Sequence, residues 1–134
     1  MVLNGNDLYI AEFIGNKISK FDITSPSPTV TDVITNLNGP FSIAFSGNDL
    51  YIAEFSGNKI SKIDITDSTP TATEIISGLN GPRGVQVVGD DLYIAEVSTD
   101  KILKIKNFTL SNPEFHLDPN IVLYPNPSND FIEL

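Results

Sequence analysis

The segment Leu8-Tyr9-Ile10-Ala11-Glu12 recurs as Leu50-Tyr51-Ile52-Ala53-Glu54 and again as Leu92-Tyr93-Ile94-Ala95-Glu96, a step of 42 residues each time. A chain that repeats at this interval stacks one small unit on the next, because such a unit cannot bury an apolar face alone. Residues 5–24 and 47–66 differ at only two places, Ile14 against Ser56 and Phe21 against Ile63. The third copy drifts further, with Val97-Ser98-Thr99-Asp100 where the second has Phe55-Ser56-Gly57-Asn58. With 134 residues in all, the repeats occupy most of one domain and leave no room for a second of ordinary size.

The complete middle copy divides into four segments. Phe41–Phe45 follows the breaker cluster Asn38-Gly39-Pro40. Asp49–Phe55 follows Ser46-Gly47-Asn48, and Lys59–Ile65 follows Ser56-Gly57-Asn58, where Gly and Asn tolerate the positive φ of tight hairpins. Thr71–Leu79 ends at Asn80-Gly81-Pro82. β-Branched and aromatic residues dominate all four, and none has the i, i+3, i+4 apolar spacing of a helix. Four short antiparallel strands per repeat of ~40–50 residues is the pattern of a β-propeller blade. The unbroken apolar run Leu50-Tyr51-Ile52-Ala53 suits an inner strand covered on both faces, and Thr71, Thr73 and Glu74 suit an outer edge in water.

The expected fold is therefore all-β, about three four-stranded blades of a partial β-propeller at 1–37, 38–79 and 80–106. The first blade should lack most of its inner strand, and the third an ordinary outer one. Three blades do not close a ring, since propellers have at least about four. Leu50, Ile52, Phe41 and their equivalents should then leave apolar blade faces open, favouring self-association.

The run Gly39-Pro40-Phe41-Ser42-Ile43-Ala44-Phe45, then Asp49–Glu54, then Asn58–Asp64, resembles the NHL-type propeller repeat, a group that includes gluconolactonase-like and streptogramin-lyase-like propellers. The resemblance covers residues 1 to about 106. It implies the fold, but its members range from protein- and RNA-binding scaffolds to lactonases and a lyase.

Beyond Lys106 the repeat stops, and 107–120 reads as a last strand fragment and linker containing Pro113 and Pro119. The residues from Ile121 to Leu134 then resemble the opening of the type A sorting domain of the type IX secretion system of Bacteroidota. An apolar strand leads into Tyr124-Pro125-Asn126-Pro127, small polar residues, Asp130 and a second apolar segment. Two prolines impose an extended turn between strands, here the first strand pair of a truncated β-sandwich. The resemblance implies export and a secreted or outer-membrane-surface, extracellular location, with the type IX machinery as a partner. The family domain has further strands, and an exported chain needs a signal peptide, so the sequence reads as a piece of a longer secreted protein. The incomplete segment is expected to pack loosely, if at all, on the blades.

Charge and composition narrow the chemistry. Seventeen acids against eight bases give a net charge of −9, which repels nucleic acid and anionic lipid. No apolar run approaches the ~20 residues of a membrane-spanning helix. Without cysteine there is no thiolate nucleophile or thiolate metal site, and a lone His116 leaves little for acid–base or zinc chemistry. Glu12, Glu54 and Glu96 recur once per blade. A ring of carboxylates could bind a cation, but a residue repeated in every blade is more often a structural acceptor at a strand end. Lys17, Lys20, Lys59, Lys62, Lys101, Lys104 and Lys106 fall on the third strands, where Asp22, Asp64 and Glu54 are candidate partners.

Arg83 is the only arginine, and it replaces Phe41 just after Gly-Pro at the start of an inner strand. Guanidinium suits carboxylate or phosphate recognition, and a solvated rim position is the plainer reading. Taken together, the residues point to a secreted binding or interaction module with a protein or carbohydrate ligand and no cofactor. The alternative is a propeller enzyme of lactonase or lyase type.

Overall fold

The computed structural model describes residues 1–106, Phe108 and the strand Ile121–Pro125. Among the described residues, twelve strands form three four-stranded antiparallel sheets. The first sheet runs β1 (Val2–Asn4), β2 (Asp7–Glu12), β3 (Lys17–Asp22), β4 (Thr31–Ile34), and the second β5 (Pro40–Ser46), β6 (Asp49–Glu54), β7 (Lys59–Asp64), β8 (Thr73–Ser77). The third runs β9 (Pro82–Val88), β10 (Asp91–Glu96), β11 (Lys101–Ile105), β12 (Ile121–Pro125). Each strand pairs with its sequence neighbour, as hairpin connections dictate. The four segments read from the middle repeat are the four strands of the second sheet, with Thr71 and Ala72 in the loop before β8.

Turn chemistry sets these registers. Gly5, Gly47 and Gly89 take φ of 60°, 59° and 59° in the hairpins between first and second strands. Asn16, Asn58 and Asp100 take φ of 53°, 52° and 52° between second and third strands, where Asx side chains tolerate the left-handed region. β1 is only three residues long, matching the expected loss of most of the first inner strand.

The third sheet corrects the expectation that it would lack an ordinary outer strand. β12 pairs along β11 from Lys101↔Pro125 to Ile105↔Ile121. An uncovered β11 would present a row of unpaired N–H and C=O groups, and the β-branched run after Asn120 has the composition to cover it. Residues 121–125 therefore pair with the repeat sheets instead of lying loose.

Two joints hold the sheets face to face, and the strict alternation of the second strand builds both. At the first, Tyr9, Ala11 and Ile18 meet Leu50, Ile52 and Ile63. At the second, Tyr51, Ala53 and Ile60 meet Leu92, Ile94 and Ile105. The Tyr and Ala of one hexapeptide thus face forward along the chain and the Leu and Ile face back. Fully burying one such aliphatic side chain contributes about 1.5–3 kcal/mol.

Candidate functional site

The connector between consecutive sheets is clamped from both sides. Between the first and second sheets, Leu37 N–H donates to the Asn16 carbonyl at 2.9 Å and Gly39 N–H to Asn16 Oδ1 at 2.9 Å. Asn38 N–H donates to Glu54 Oε2 at 2.7 Å. The next connector repeats this, with Gly81 N–H on Asn58 Oδ1 at 2.9 Å and Asn80 N–H on Glu96 Oε1 at 2.8 Å. Gly39 (φ +64°) and Gly81 (φ +63°) also lie against Phe13 and Phe55, leaving no space for a Cβ.

This clamp accounts for the repeated glutamates. Glu54 is 1% exposed; its carboxylate also accepts the Ser61 hydroxyl and lies 3.7 Å from Lys59 Nζ. Glu12 accepts the Ser19 hydroxyl. In the third sheet Leu103 replaces that serine, and Thr99, standing where the first two copies have Gly15 and Gly57, donates its hydroxyl to Glu96 Oε2 at 2.6 Å. Each glutamate thus bonds within its own sheet, and Glu54 and Glu96 also hold the connector that precedes it. Among the described residues no group of three or more His, Cys, Asp or Glu is placed to hold a metal ion.

Of the expected lysine partners, Glu54 is met by Lys59 at 3.7 Å, and the other two are not. Lys20, Lys62 and Lys104 reach Asp7, Asp49 and Asp91 on the neighbouring second strands, at 2.7, 2.9 and 2.9 Å. Lys17 reaches Asp32 at 2.7 Å. Hydrogen bonds to Asp7 and Asp91 hold the Lys20 and Lys104 ammonium groups above the usual lysine range. Asp22 and Asp64 are not their partners, because each turns back on its own loop and accepts the hydroxyl and N–H of Thr24 or Thr66. Those bonds hold both carboxyls below the ordinary value of 3.8. Lys106 lies just past the end of β11.

One cluster stands outside this structural wiring. Where the first strands begin, Phe13, Phe41 and Phe55 form an aromatic group with ring centroids 6.0–6.3 Å apart. The Arg83 guanidinium sits over the Phe41 ring at 4.9 Å and over Phe55 at 5.3 Å. Phe41 is 44% exposed and Phe13 41%, so the platform faces solvent. Among the described residues no carboxylate pairs with Arg83. Arg83 was legible as a break in the repeat; the three phenylalanines around it were not, because their convergence requires the stacking of successive sheets. Of the sorting motif, Tyr124 and Pro125 close β12, while Asn126, Pro127 and Asp130 lie outside the described residues, as does His116.

No protein-family model matches the chain, and no curated protein does. Solved structures do. Streptogramin B lyase superposes with a TM-score of 0.64 at 22% identity over 96% of this chain and 40% of its own. The three sheets are β-propeller blades. Virginiamycin B lyase from Staphylococcus aureus gives a TM-score of 0.63 at 22% identity, covering 92% of this chain and 39% of the lyase. A chain from a nidogen/laminin complex gives 0.63 at 17% identity over 90% of this chain and 46% of its own. The blades therefore span less than half the length of these matched chains, and the likeness establishes their fold alone.

Proposed function

We propose that these blades belong to a secreted or cell-surface propeller acting as a binding module, exported by the type IX secretion system. Its contact point is the platform of Phe13, Phe41 and Phe55 capped by Arg83. The observation that carries this reading is a guanidinium with no carboxylate partner among the described residues, held over the exposed Phe41 ring and the half-buried Phe55 ring in a chain of net charge −9. Ring faces hold the cation by its charge and leave its N–H donors for a carboxylate or phosphate, while the exposed rings suit an apolar or planar body beside that anion. The ligand class is accordingly an anionic saccharide or acidic peptide.

Export rests on the likeness of Tyr124-Pro125-Asn126-Pro127 and Asp130 to the sorting-domain opening. Two experiments test the two halves. Binding of uronic-acid oligosaccharides and acidic peptides to the full-length protein should fall several-fold in Arg83→Ala and in Arg83→Phe, which restores the middle blade's residue. Equal binding by all three proteins would remove Arg83 from the site, and turnover of a simple lactone, or of quinupristin, which accompanies virginiamycin B lyase in a solved structure, would replace binding with catalysis. A reporter carrying a signal peptide and the complete tail should leave a host that has the type IX system. Its retention in the periplasm would refute the export reading.

A further inference from the structure

Three Asn-Gly pairs stand in the chain, at Asn4-Gly5, Asn38-Gly39 and Asn80-Gly81. An asparagine before glycine is chemically vulnerable, because the glycine nitrogen can close on the side-chain carbonyl with no Cβ in the way. The structure separates the three. The peptide unit joining Asn38 to Gly39 is pinned at both ends: its carbonyl accepts Gly57 N–H at 3.0 Å and its N–H donates to Asn16 Oδ1 at 2.9 Å. The unit joining Asn80 to Gly81 is pinned alike, by Ser98 N–H at 3.2 Å and Asn58 Oδ1 at 2.9 Å, and both connector glycines are buried. Gly5 is exposed in the two-residue hairpin between β1 and β2, and its N–H has no acceptor among the described residues. This openness belongs to the turn itself. Gly47 and Gly89 hold the same position in the second and third blades, each with a blade packed before it, and they too are exposed with nothing within 4 Å. Those blades carry Ser46 and Val88 before the glycine, so among the three hairpins the first alone places an asparagine there.

We propose that Asn4 is a site of spontaneous deamidation, with water as co-reactant. The Gly5 nitrogen bonds to Asn4 Cγ, the Cγ–Nδ2 bond breaks, and the amide group leaves as ammonia with the proton that Gly5 gave up, which closes a cyclic imide. Water then cleaves one of the two imide C–N bonds. Cleavage at Cγ gives aspartate; cleavage at the backbone carbonyl gives isoaspartate, in which the main chain runs through the side-chain methylene. Asn4 stands opposite Asp7 in the ladder, and Asp7 holds Lys20 at 2.7 Å. Either product sets a second carboxylate beside Asp7, a like-charge pairing that weakens the contact of β1 with β2. Isoaspartate also lengthens the backbone at a hairpin whose turn fixes the register. The reaction therefore loosens the three-residue β1, while the clamp that joins the blades shields the two connectors from the same chemistry.

The experiment is peptide mapping by mass spectrometry of the full-length protein held in mildly alkaline buffer, with aspartate and isoaspartate products separated against synthetic peptides. In the folded protein Asn4 should convert roughly ten-fold or more faster than Asn38 and Asn80, because the hydrogen bonds that pin each connector must open before its ring can close. In denaturant the three rates should converge. Asn4→Ser, which installs the middle blade's residue, should abolish the early product. Asn16→Gly keeps the positive φ of that turn and removes the Oδ1 acceptor, so it should speed conversion at Asn38 several-fold and leave Asn80 unchanged. Asn80 also reports, in the same molecule, that the variant is folded; should Asn16→Gly unfold, the three sites of the wild type decide alone. Asn4 staying as intact as the connectors in the folded protein, Asn38 or Asn80 keeping pace with it, or Asn38 unmoved in folded Asn16→Gly would each overturn the proposal.

Discussion

The hexapeptide Asp-Leu-Tyr-Ile-Ala-Glu is identical in β2, β6 and β10, yet only in the middle blade are its apolar residues buried on both faces. In β2 the tyrosine is buried and both Leu8 and Ile10 are half-exposed; in β10 Leu92 and Ile94 are buried while Tyr93 is half-exposed. The same six residues therefore contribute different stabilisation according to what lies beside them. The difference shows that the strand's two faces are separate binding surfaces, one for the blade ahead and one for the blade behind.

The largest expected contrast is between equivalent isoleucines. Ile52→Ala should cost about 3–4 kcal/mol in urea denaturation, as expected for a buried aliphatic truncated to leave a cavity. Ile10→Ala should cost less than half of that in dilute solution, because the Ile10 side chain is already half-exposed. Equal costs at sub-micromolar concentration would break the comparison.

Next come the connector glycines. Gly39→Ala should cost about 2–3 kcal/mol, because a Cβ at φ +64° would also sit 2.5 Å from the Ser56 hydroxyl. Gly47→Ala, at φ +59° with nothing within 4 Å, should cost about 1 kcal/mol. Thermal or denaturant unfolding of the pair separates backbone strain from collision.

A third contrast sets the middle blade's clamp against the last. Ser61→Leu should cost about 2 kcal/mol by removing a donor from buried Glu54. Adding Gly57→Thr, the combination that the third blade already has in Leu103 and Thr99, should recover about half of it. A double-mutant cycle with no coupling would show that the third blade's exchange is not compensatory.

Smaller again is an alkaline effect. Burial pushes the Tyr51 phenol up to about 12 from 10. Its neutral form is favoured in the folded state, so this contribution to stability is complete below pH 10 and is lost as pH rises from there toward 12. The expected slope amounts to about 1–2 kcal/mol and should be missing in Tyr51→Phe. Smallest is Arg83→Ala, which should change stability by no more than ~0.5 kcal/mol, as a surface substitution does. A loss comparable to Gly39→Ala would make Arg83 part of the joint.

The period of 42 and the hairpin residues were enough to read the blades and nearly all strand limits, because strand pairing here is local and set by turns such as those at Gly47 and Asn58. Two replacements could not be read that way. Tyr9 packs edge-on against Phe45, but Val87 stands at the corresponding place in the third blade, and Phe108 supplies the ring for Tyr51 at 5.1 Å. Likewise the hydroxyl for Glu96 comes from Thr99, not from the serine position. The first depends on side chains distant in sequence meeting across a joint; the second is a local exchange between residues three apart, visible only once the Glu96 carboxylate is placed. The outer strand of the third blade was missed for a related reason, since its residues do not follow the repeat and their pairing with β11 depends on an edge that only the folded sheet creates.

The most direct test of this arrangement uses three tyrosines in identical local sequence, so that intrinsic reactivity is the same and only packing differs. Hydroxyl-radical footprinting, at a dilution where the chain sediments as a monomer, should find Tyr9 and Tyr51 protected, at 3% and 5% exposure, and Tyr93 readily oxidised. Protection of Tyr93 together with oxidation of Tyr9 would mean that the tyrosine face points backward along the chain, and the order of blade packing described above would be wrong.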